Sequence, residues 1–259
     1  MPERSPWLNL HLGAVIAFLY LPIVVLVALS FNRAGLPTAW TGFSTEWYVR
    51  LVQNPKVLGA LWNSLIVAVA STAISTVLGT LLAIGVEQRK PGALVEATMF
   101  APMIIPDIVL AIALLSFYAL LGMTLGLYSI ALSHAVFNIA FVAAVVRARL
   151  KSFDWSLTEA SRDLGASETQ TFFRVTLPLI APSVIAGALL AFTLSLDEFI
   201  IAYFTSGAGP SSTTLPMQIY AMIRFGVTPE INALAAILML VSFTLVLAAQ
   251  RSNRGLVGG

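Results

Sequence analysis

Long uncharged segments alternate with short charged ones along most of this chain. About 20 apolar residues suffice for a helix to cross the hydrocarbon core of a bilayer. Counted directly, the uncharged segments are Leu12 to Phe31 (20 residues), Val57 to Val86 (30), Ile108 to Val146 (39), Val175 to Leu196 (22), Phe199 to Ile223 (25) and Ile231 to Gln250 (20). Each of them is therefore long enough to span a membrane.

Glycine-containing stretches divide the longest of these segments. The 39-residue segment exceeds one span, and Gly122-Met-Thr-Leu-Gly126 provides a turn that splits it in two. The segment from Phe199 completes a span and then passes through Ser206-Gly-Ala-Gly-Pro-Ser-Ser212, which is typical of a loop. We therefore predict six membrane-spanning helices, at about 10–31, 59–86, 98–121, 129–149, 180–204 and 230–250.

The composition indicates an all-α integral membrane protein. Of the 259 residues, 58% are hydrophobic and 10% are charged, against about 45–50% and about 25% in soluble domains. The formal net charge of +2 is too small to indicate a nucleic-acid-binding protein. Without cysteine, and with only two histidines, the chain has no disulfide scaffold, and a metal site is not expected. No repeat or long linker divides it, so we predict a single transmembrane domain, 1–259, whose first span is an anchor and not a cleaved signal.

Cationic side chains are distributed unequally between alternate loops. If the N-terminus is cytoplasmic, the cations on the outer side are Arg33, Arg50, Lys56 and Arg224. Those on the inner side are then Arg4, Arg89, Lys90, Arg147, Arg149, Lys151, Arg162, Arg174, Arg251 and Arg254. This 10:4 partition satisfies the positive-inside rule, and the inverted topology violates it. Both termini are therefore predicted to be cytoplasmic.

The longest predicted inner loop, residues 150–179, contains two helix-start patterns. Ser156-x-x-Glu159 and Ser167-x-x-Gln170 both have the form of a capping box, in which side chains three residues apart satisfy free backbone N–H groups. Gly165 lies between them and suits a helix end, because glycine adopts positive φ without a Cβ clash. We predict two short helices that meet at Gly165, the second running into Leu177-Pro178. Capping alone is equally compatible with an ordinary loop between spans.

Two predicted outer loops have short amphipathic patterns. Within residues 32–58, apolar side chains recur at helical spacing at Phe43, Trp47, Tyr48, Leu51 and Val52. In the last outer loop one helical face would carry Leu215, Ile219, Met222 and Ile223. Each pattern predicts a short helix at the membrane surface.

Three carboxylates, Asp107, Asp197 and Glu198, lie inside predicted spans that contain no basic partner. A charge at the bilayer centre costs at least about 2.5–3.5 kcal/mol, so such residues usually face a bundle interior or water. At about 1.5 Å per residue, Asp107 would lie about 15 Å beyond Glu96 and Asp197 about 25 Å beyond Ile180, roughly 10 Å apart in depth. We predict that they line a pathway for a cationic solute. Alternatively, Asp107 is a first-turn acid that favours the helix dipole, and the adjacent acids, about 100° apart, cannot both face the pathway.

Aromatic and polar residues in the spans have two interpretations. Tyr118 and Tyr203 are candidates for cation–π contacts with amines, although membrane tyrosines more often serve as packing or interface anchors. His134 has no cationic partner in its span and is expected to be a hydrogen-bonded packing residue in preference to a proton relay. Asn63 and Ser64 are expected to form interhelical hydrogen bonds.

The inner loop resembles a known family motif. Glu159-Ala160-Ser161, Gly165 and Val175-x-Leu177-Pro178 are similar to the EAA loop of ABC-importer permeases, E-A-A-x3-G-x9-I-x-L-P, with Ser for the second Ala and Val for Ile. In that family the loop forms a coupling helix that sits in a cleft of the ATPase subunit. The resemblance implies this coupling role for Glu159, Ala160, Ser161, Gly165, Leu177 and Pro178.

The resemblance extends over nearly the whole chain. Segments that look like the spermidine/putrescine branch are Leu61-Trp-Asn-Ser-Leu65, Pro102-Met-Ile-Ile-Pro106-Asp107, Ser195-Leu-Asp-Glu-Phe-Ile-Ile201, Thr214-Leu-Pro-Met-Gln218 and Arg224-Phe-Gly-Val-Thr-Pro-Glu230. Similar stretches occur in permeases for other small solutes. Iron, thiamine, sulfate, an opine or an amino-acid derivative are therefore alternative cargoes, of which sulfate fits the acids least.

The resemblance implies a MetI-like type I permease in the bacterial inner membrane. Such a chain pairs with a second, homologous permease subunit, binds two ATPase subunits, and receives cargo from an extracytoplasmic solute-binding protein on its outer loops. For those loops, anchoring in the lipid bilayer fits the sequence equally well.

The sequence also bears on the source of energy. None of its three lysines, Lys56, Lys90 and Lys151, stands in the Gly-Lys-Ser/Thr context of a phosphate-binding loop. We therefore expect a transporter subunit that is not an enzyme and binds no cofactor, with ATP and magnesium held by the partner ATPase. A self-sufficient secondary transporter would predict inverted repeats, and an intramembrane enzyme a nucleophile–base pair or a metal cluster. Neither stands out in the sequence.

Overall fold

The computed structural model describes residues 6–35, 39–224, 226 and 228–257, and this part of the chain is mostly helical. Its α-helices are α1 (Pro6–Leu29), α2 (Glu46–Gln53), α3 (Pro55–Arg89), α4 (Ala93–Phe100), α5 (Asp107–Leu120), α6 (Leu127–Leu150), α7 (Ser156–Asp163), α8 (Glu168–Thr171), α9 (Leu177–Asp197), α10 (Ile200–Thr205), α11 (Leu215–Ile223) and α12 (Pro229–Val257). Two 3₁₀ turns and one π-helical turn complete it, at Ala101–Met103, Pro210–Ser212 and Phe172–Thr176.

Four helices within the described ranges are long and apolar enough to cross a membrane. They are Trp7–Leu29, Pro55–Arg89, Leu127–Leu150 and Glu168–Asp197. These correspond to the first, second, fourth and fifth predicted spans, with shifted ends. The sixth predicted span, 230–250, falls within α12, whose described apolar part is Pro229–Val241.

The third predicted span, 98–121, is not one helix. Residues Ala93–Met103 and Asp107–Leu120 form two arms bent by 99° at a short break. Pro102 and Pro106 explain the break, because proline has no backbone N–H to donate to the helical ladder. Counted as one span, the bent pair raises the number of candidate spans among the described residues to five.

The fifth predicted span, 180–204, is also interrupted. α9 ends at Asp197, and Glu198 and Phe199 separate it from the short helix α10. The prediction of an uninterrupted helix is therefore wrong at both places where acids lie. Elsewhere the turn at Gly122, the loop after Ser206 and the helical form of the two short amphipathic segments, α2 and α11, are confirmed.

Residues 59–218 form one compact unit in which α6 is the central helix. Val142 of α6 lies between Gly79 of α3 and Gly187 of α9. A Cβ atom at Gly79 would lie 2.8 Å from Cβ of Val142, and one at Gly187 would lie 3.3 Å from its Cγ1. The two glycines therefore permit the close approach of three helices, as small residues do in membrane bundles.

Polar side chains also join these three helices. Oγ of Ser71 donates to Oγ of Ser195 at 3.0 Å, and Ser195 bonds Nδ1 of His134 at 2.8 Å, all in a buried position. His134 is thus the hydrogen-bonded packing residue that the sequence predicts. Asn63 instead donates to loop carbonyls at 211 and 213, whereas Ser64 accepts the N–H of the first residue of α11. The interhelical prediction is therefore correct for Ser64, whereas Asn63 reaches the 3₁₀ turn at Pro210–Ser212 and the residue after it.

The second compact unit consists of residues 1–58 and 219–259. Within its described part, α12 packs against α1 and α2. Asn32 organises the segment between α1 and α2: its Nδ2 donates to the carbonyl of Ala39 at 2.8 Å, and its own carbonyl accepts Nε1 of Trp47 at 2.8 Å. Asn54 donates to Glu230 at 3.0 Å, which ties the end of α2 to the start of α12.

Candidate functional site

The first candidate site is the loop that contains α7, and α7 is not capped as the sequence predicts. Ser156 is its first residue, and Trp155 at the cap position makes no side-chain capping bond. Oδ1 of Asp154 accepts the N–H of Ser156 at 3.0 Å instead. Hydrogen bonds from the Ser156 hydroxyl and N–H hold the pKa of Asp154 below its ordinary value. The predicted box Ser156-x-x-Glu159 is wrong because an upstream carboxylate takes the free N–H.

α7 ends at Gly165 in a Schellman motif. Gly165 has φ +86°, and its N–H donates to the carbonyl of Arg162 at 2.8 Å. The N–H of Ala166 reaches the carbonyl of Ser161 at 3.1 Å, which completes the motif. The hydroxyl of Ser161 lies 3.1 Å from that of Thr171 and joins α7 to α8. The prediction that two short helices meet at Gly165 is confirmed.

α8 begins with the second predicted capping box and continues into α9 through the π-helical turn. The N–H of Gln170 donates to Oγ of Ser167, and the N–H of Ser167 donates to Oε1 of Gln170 at 2.9 Å. In the π-helical turn the N–H of Leu177 reaches the carbonyl of Phe172, five residues earlier. Pro178 follows, and because it lacks an N–H it cannot bond the carbonyl four residues before it. The wider turn accommodates this missing bond.

Two aromatic residues hold the start of this loop against the helices. Phe153 is 8% exposed, Trp155 is half-buried, and their rings pack edge to face with centroids 4.9 Å apart. Leu177, at the start of α9, packs against the same apolar cluster. Buried members of this cluster come from α3, α6 and α9 and include Ala83, Val142, Val146, Leu150 and Ile180. Both ends of the loop are therefore fixed to one core.

One face of α7 is apolar and exposed. Leu157 is 44% exposed and Leu164, just after the helix, is 89% exposed, with the exposed Ala160 between them. Positions i, i+3 and i+7 share a helical face. Glu159 is exposed beside this face. Sequence reasoning missed both leucines, although their seven-residue spacing on an otherwise polar helix was a visible signal.

The second candidate site contains the three acids, and each lies at a helix end. Asp107 begins α5, Asp197 ends α9, and Glu198 lies just before α10. Oε1 of Glu198 accepts the N–H of Ile201 at 2.7 Å. α5, which begins with Asp107, packs on α10, which follows Glu198, through Leu110, Ala111 and Ile201.

The predicted depth of Asp107 does not hold, whereas Ile180 and Asp197 lie in one helix, as the estimate for Asp197 assumes. The estimate of about 15 Å from Glu96 to Asp107 assumes a straight helix, and the 99° bend removes that assumption. Asp197 is exposed, whereas Glu198 is half-buried and bonded to the backbone. The ion pairs found within the described ranges include none of the three acids. The same ranges contain no group of three or more metal-ligating side chains.

The two candidate tyrosines differ in their surroundings. Tyr118 is 4% exposed, and its hydroxyl lies 2.9 Å from Oγ of Ser133 on α6. This contact is the packing alternative considered from the sequence. Tyr203 is 52% exposed, with its ring 5.5 Å from that of Phe199.

Comparison with known proteins finds relatives along almost the entire chain. A family model described as "Binding-protein-dependent transport system inner membrane component" matches residues 75–254, which include both candidate sites. The spermidine/putrescine transport system permease protein PotC of Escherichia coli (strain K12) is 43% identical over 241 residues, covering 92% of this chain and 90% of that protein. The putrescine transport system permease protein PotI of the same strain is 41% identical over 245 residues, covering 91% and 86%.

A solved structure shares the fold at much lower identity. A bacterial ABC transporter involved in the import of the acidic polysaccharide alginate aligns with a TM-score of 0.75 and 16% sequence identity. The alignment covers 97% of this chain and 99% of that one. The two chains therefore share one helical fold over nearly their whole length.

Proposed function

We propose that this chain, which belongs to the family of binding-protein-dependent transport system inner membrane components, is a permease subunit of an ATP-driven importer of spermidine and putrescine. The observation that carries the proposal is the identity of 43% and 41% to two polyamine permeases over 92% and 91% of the chain. Family membership and the apolar helices make it a multi-pass protein of the bacterial inner membrane.

The proposed topology has six spans and cytoplasmic termini. Four long apolar helices, the bent pair and α12 supply segments for six crossings. The 10:4 distribution of cations supports a cytoplasmic N-terminus. In this topology α7 faces the cytosol, and residues 1–259 act as one transmembrane domain.

In the proposed mechanism α7 is the coupling helix and enters a cleft of an ATPase subunit. Leu157, Ala160 and Leu164 offer the apolar contact, and burying a leucine side chain contributes about 1.5–3 kcal/mol. Glu159, exposed beside them, would contribute a polar contact. The docked helix would move as a rigid lever, because Phe153 fixes its start in the core.

The other motif residues shape this lever. Ser161 ties α7 to α8 through Thr171, and Gly165 supplies the left-handed residue of the turn between them. Leu177 fixes the far end of the loop in the core, and Pro178 accompanies the π-helical turn. Together they would transmit movement of the ATPase to α9.

Asp107, Asp197 and Glu198 would attract the protonated amines of the cargo. They lie at breaks in helices, where free backbone groups and carboxylates can both face the solute pathway. Tyr203 adds an exposed ring suited to a cation–π contact. Tyr118 would support the pathway indirectly, by holding α5 against α6.

The proposed complex includes a second homologous permease subunit, two ATPase subunits and an extracytoplasmic solute-binding protein. ATP and magnesium would bind to the ATPase subunits and no cofactor to this chain. ATP binding would favour the outward-open state and hydrolysis would reset it. The link between nucleotide and gate is then a coupling free energy between distant sites.

Reconstitution of the full complex in proteoliposomes tests this function. We expect uptake of radiolabelled spermidine and putrescine that requires the binding protein and ATP on the ATPase side. Replacing Asp107 and Asp197 together by Asn should lower uptake about tenfold or more, because each lost charge contact is worth about 1.5–3 kcal/mol.

Two results would contradict the proposal. Uptake that persists without any ATPase chain would exclude an ABC importer. Import of thiamine or ferric iron with no import of either polyamine would exclude the proposed cargo while leaving the class intact.

A further inference from the structure

Arg147 forms a junction between three helices at one end of the bundle. It lies in the last turn of α6, just before the loop that carries α7. Its Nη1 donates to Oε1 of Glu96 on α4, and its Nε lies 3.5 Å from Oε2 of Glu87 near the end of α3. Its guanidinium also lies over the ring of Phe100, 5.8 Å from the centroid.

This junction differs from an ordinary surface ion pair. The side chains of Arg147, Glu87 and Glu96 are 19%, 18% and 37% exposed. The pair within α2, Arg50 with Glu46, is 57% and 54% exposed and joins two residues of one helix. A partly desolvated guanidinium that bridges two carboxylates fixes their relative positions, because its planar fork presents several donors at once. Without it, two carboxylates would be left close together and unpaired.

α4 has few other attachments. None of its residues is buried, and Leu94 is 82% exposed. Phe100 packs against the edge of the apolar cluster, beneath the guanidinium of Arg147. The position of α4 therefore depends chiefly on its contacts with the last turns of α6.

The same last turns of α6 also hold the start of the coupling loop. Val146 and Leu150, which flank Arg147, share a core cluster with Phe153 and Trp155. At its other end α4 continues through the 99° bend into α5, which begins with Asp107. A continuous set of contacts thus runs from the α7 loop through Arg147 to the pathway acid.

We infer that Arg147 is a positioning residue that transmits movement of the coupling loop to α4, and through the bend to Asp107. The inference rests on the proposed function. Glu96 receives the movement, and Glu87 holds the guanidinium in register between α3 and α4.

The ratio of ATP hydrolysed to spermidine imported tests this role in the reconstituted complex. We expect Arg147→Met and Glu96→Gln to retain ATP hydrolysis but to need about tenfold more ATP for each spermidine, within the range of allosteric coupling. Arg149→Met is the matched control, since Arg149 is exposed in the same turn and its guanidinium contacts only Ser152 among the bonds found in the described chain. It should keep the wild-type ratio.

Two further variants separate positioning from general support of the fold. Arg147→Lys should recover only part of the coupling, because an ammonium does not reproduce the two-pronged contact of a guanidinium. The double variant Arg147→Met with Glu96→Gln should be no worse than Arg147→Met alone, because the two residues act through one contact. Wild-type ratios of ATP to spermidine in both single variants would overturn the inference. It would also be overturned if the coupling loss in the double variant equalled the sum of the two single losses.

A second measurement does not depend on the cargo. The chain has no cysteine, so Leu94→Cys carries a single nitroxide label on α4. We expect ATP binding to the complex to change its spectrum in the wild-type background and not with Arg147→Met. Equal changes in both backgrounds would overturn the inference. The wild type could import no polyamine and still show a spectral change that Arg147→Met abolishes. That result would contradict only the proposed cargo and would support the role of Arg147.

Discussion

α1 and α6 are both 24 residues long and apolar enough to cross a membrane, yet their surroundings are opposite. No part of the most apolar stretch of α1 is buried, whereas 67% of that of α6 is buried. α1 presents large side chains in all directions, including Trp7 and Phe18, which are 75% and 78% exposed. α6 contributes small and polar residues to its packed faces, including Ser129, Ser133, His134, Ala135 and Asn138.

The difference shows that two properties of a membrane helix are encoded separately. A long apolar run determines whether a helix can enter the bilayer. Small side chains and hydrogen-bonding side chains determine whether other helices pack against it, since hydrophobicity alone favours lipid as much as protein. The candidate coupling loop is attached to the helix of the second kind.

The largest expected effect comes from adding bulk where α6 is closely packed. A Cβ at Gly79 would lie 2.8 Å from the carbonyl oxygen of Ile139, so Gly79→Leu must displace α6. We expect a loss of about 3 kcal/mol or more in the free energy of unfolding. Gly13→Leu in α1 is the matched control, because nothing lies within 4 Å of a Cβ at Gly13. Thermal unfolding in detergent measures both, and equal stability of the two variants would contradict the comparison.

The next effect concerns insertion of α1. Phe18→Arg places a charge within its apolar run and should cost about 2.5–3.5 kcal/mol of insertion free energy. Leu8→Arg, near the helix end, should cost much less because the long side chain can reach the interface. A glycosylation-based insertion assay compares them. Equal insertion would indicate that α1 does not cross the bilayer.

The two histidines give a smaller effect. His134→Leu removes the bond to Ser195 inside α6's packed face, and we expect a loss of about 1–3 kcal/mol in the free energy of unfolding. His11→Leu, on exposed α1, should change it by less than about 0.5 kcal/mol. The same unfolding measurement applies to both. If His134→Leu leaves the free energy of unfolding unchanged, the buried hydrogen bonds contribute little to stability.

The smallest expected effect is on the pKa of Asp154, in the turn between α6 and α7. Ser156→Ala removes a hydroxyl that lowers the pKa of Asp154, so that pKa should rise towards its ordinary value. The turn is stabilised above the ordinary pKa of Asp and loses that stabilisation as the pH falls through the lowered folded-state pKa. Carbon-13 titration of labelled aspartate measures the shift. An unchanged midpoint would show that the backbone N–H alone holds the carboxylate.

Sequence patterns were sufficient wherever one local property decides the structure. The first, second and fourth spans follow from uncharged length, and the helix end at Gly165 follows from its tolerance of positive φ. The first capping box failed because the carboxylate of Asp154 accepts the N–H of Ser156 that Glu159 would otherwise accept, and spacing alone does not rank the two acids.

The angle of the bend before Asp107 could not be predicted from the local sequence. Pro102 and Pro106 indicate a break, but its angle depends on the separate contacts of the two arms. α4 is held by Arg147, distant in sequence, and α5 packs on α10. The depth of Asp107 therefore could not be predicted from the sequence, although the presence of an acid in this span could.

The π-helical turn at Phe172–Thr176 changes the angular phase of the helix that leaves the coupling loop. Its i→i+5 bond encloses one residue more than an α-turn, and one residue corresponds to about 100° of rotation about the helix axis. Without the wider turn, the residue that it accommodates would rotate every side chain of α9 by about 100° relative to α8. The π-helical turn therefore sets the azimuth at which the span containing Ser195 and Asp197 faces its neighbours.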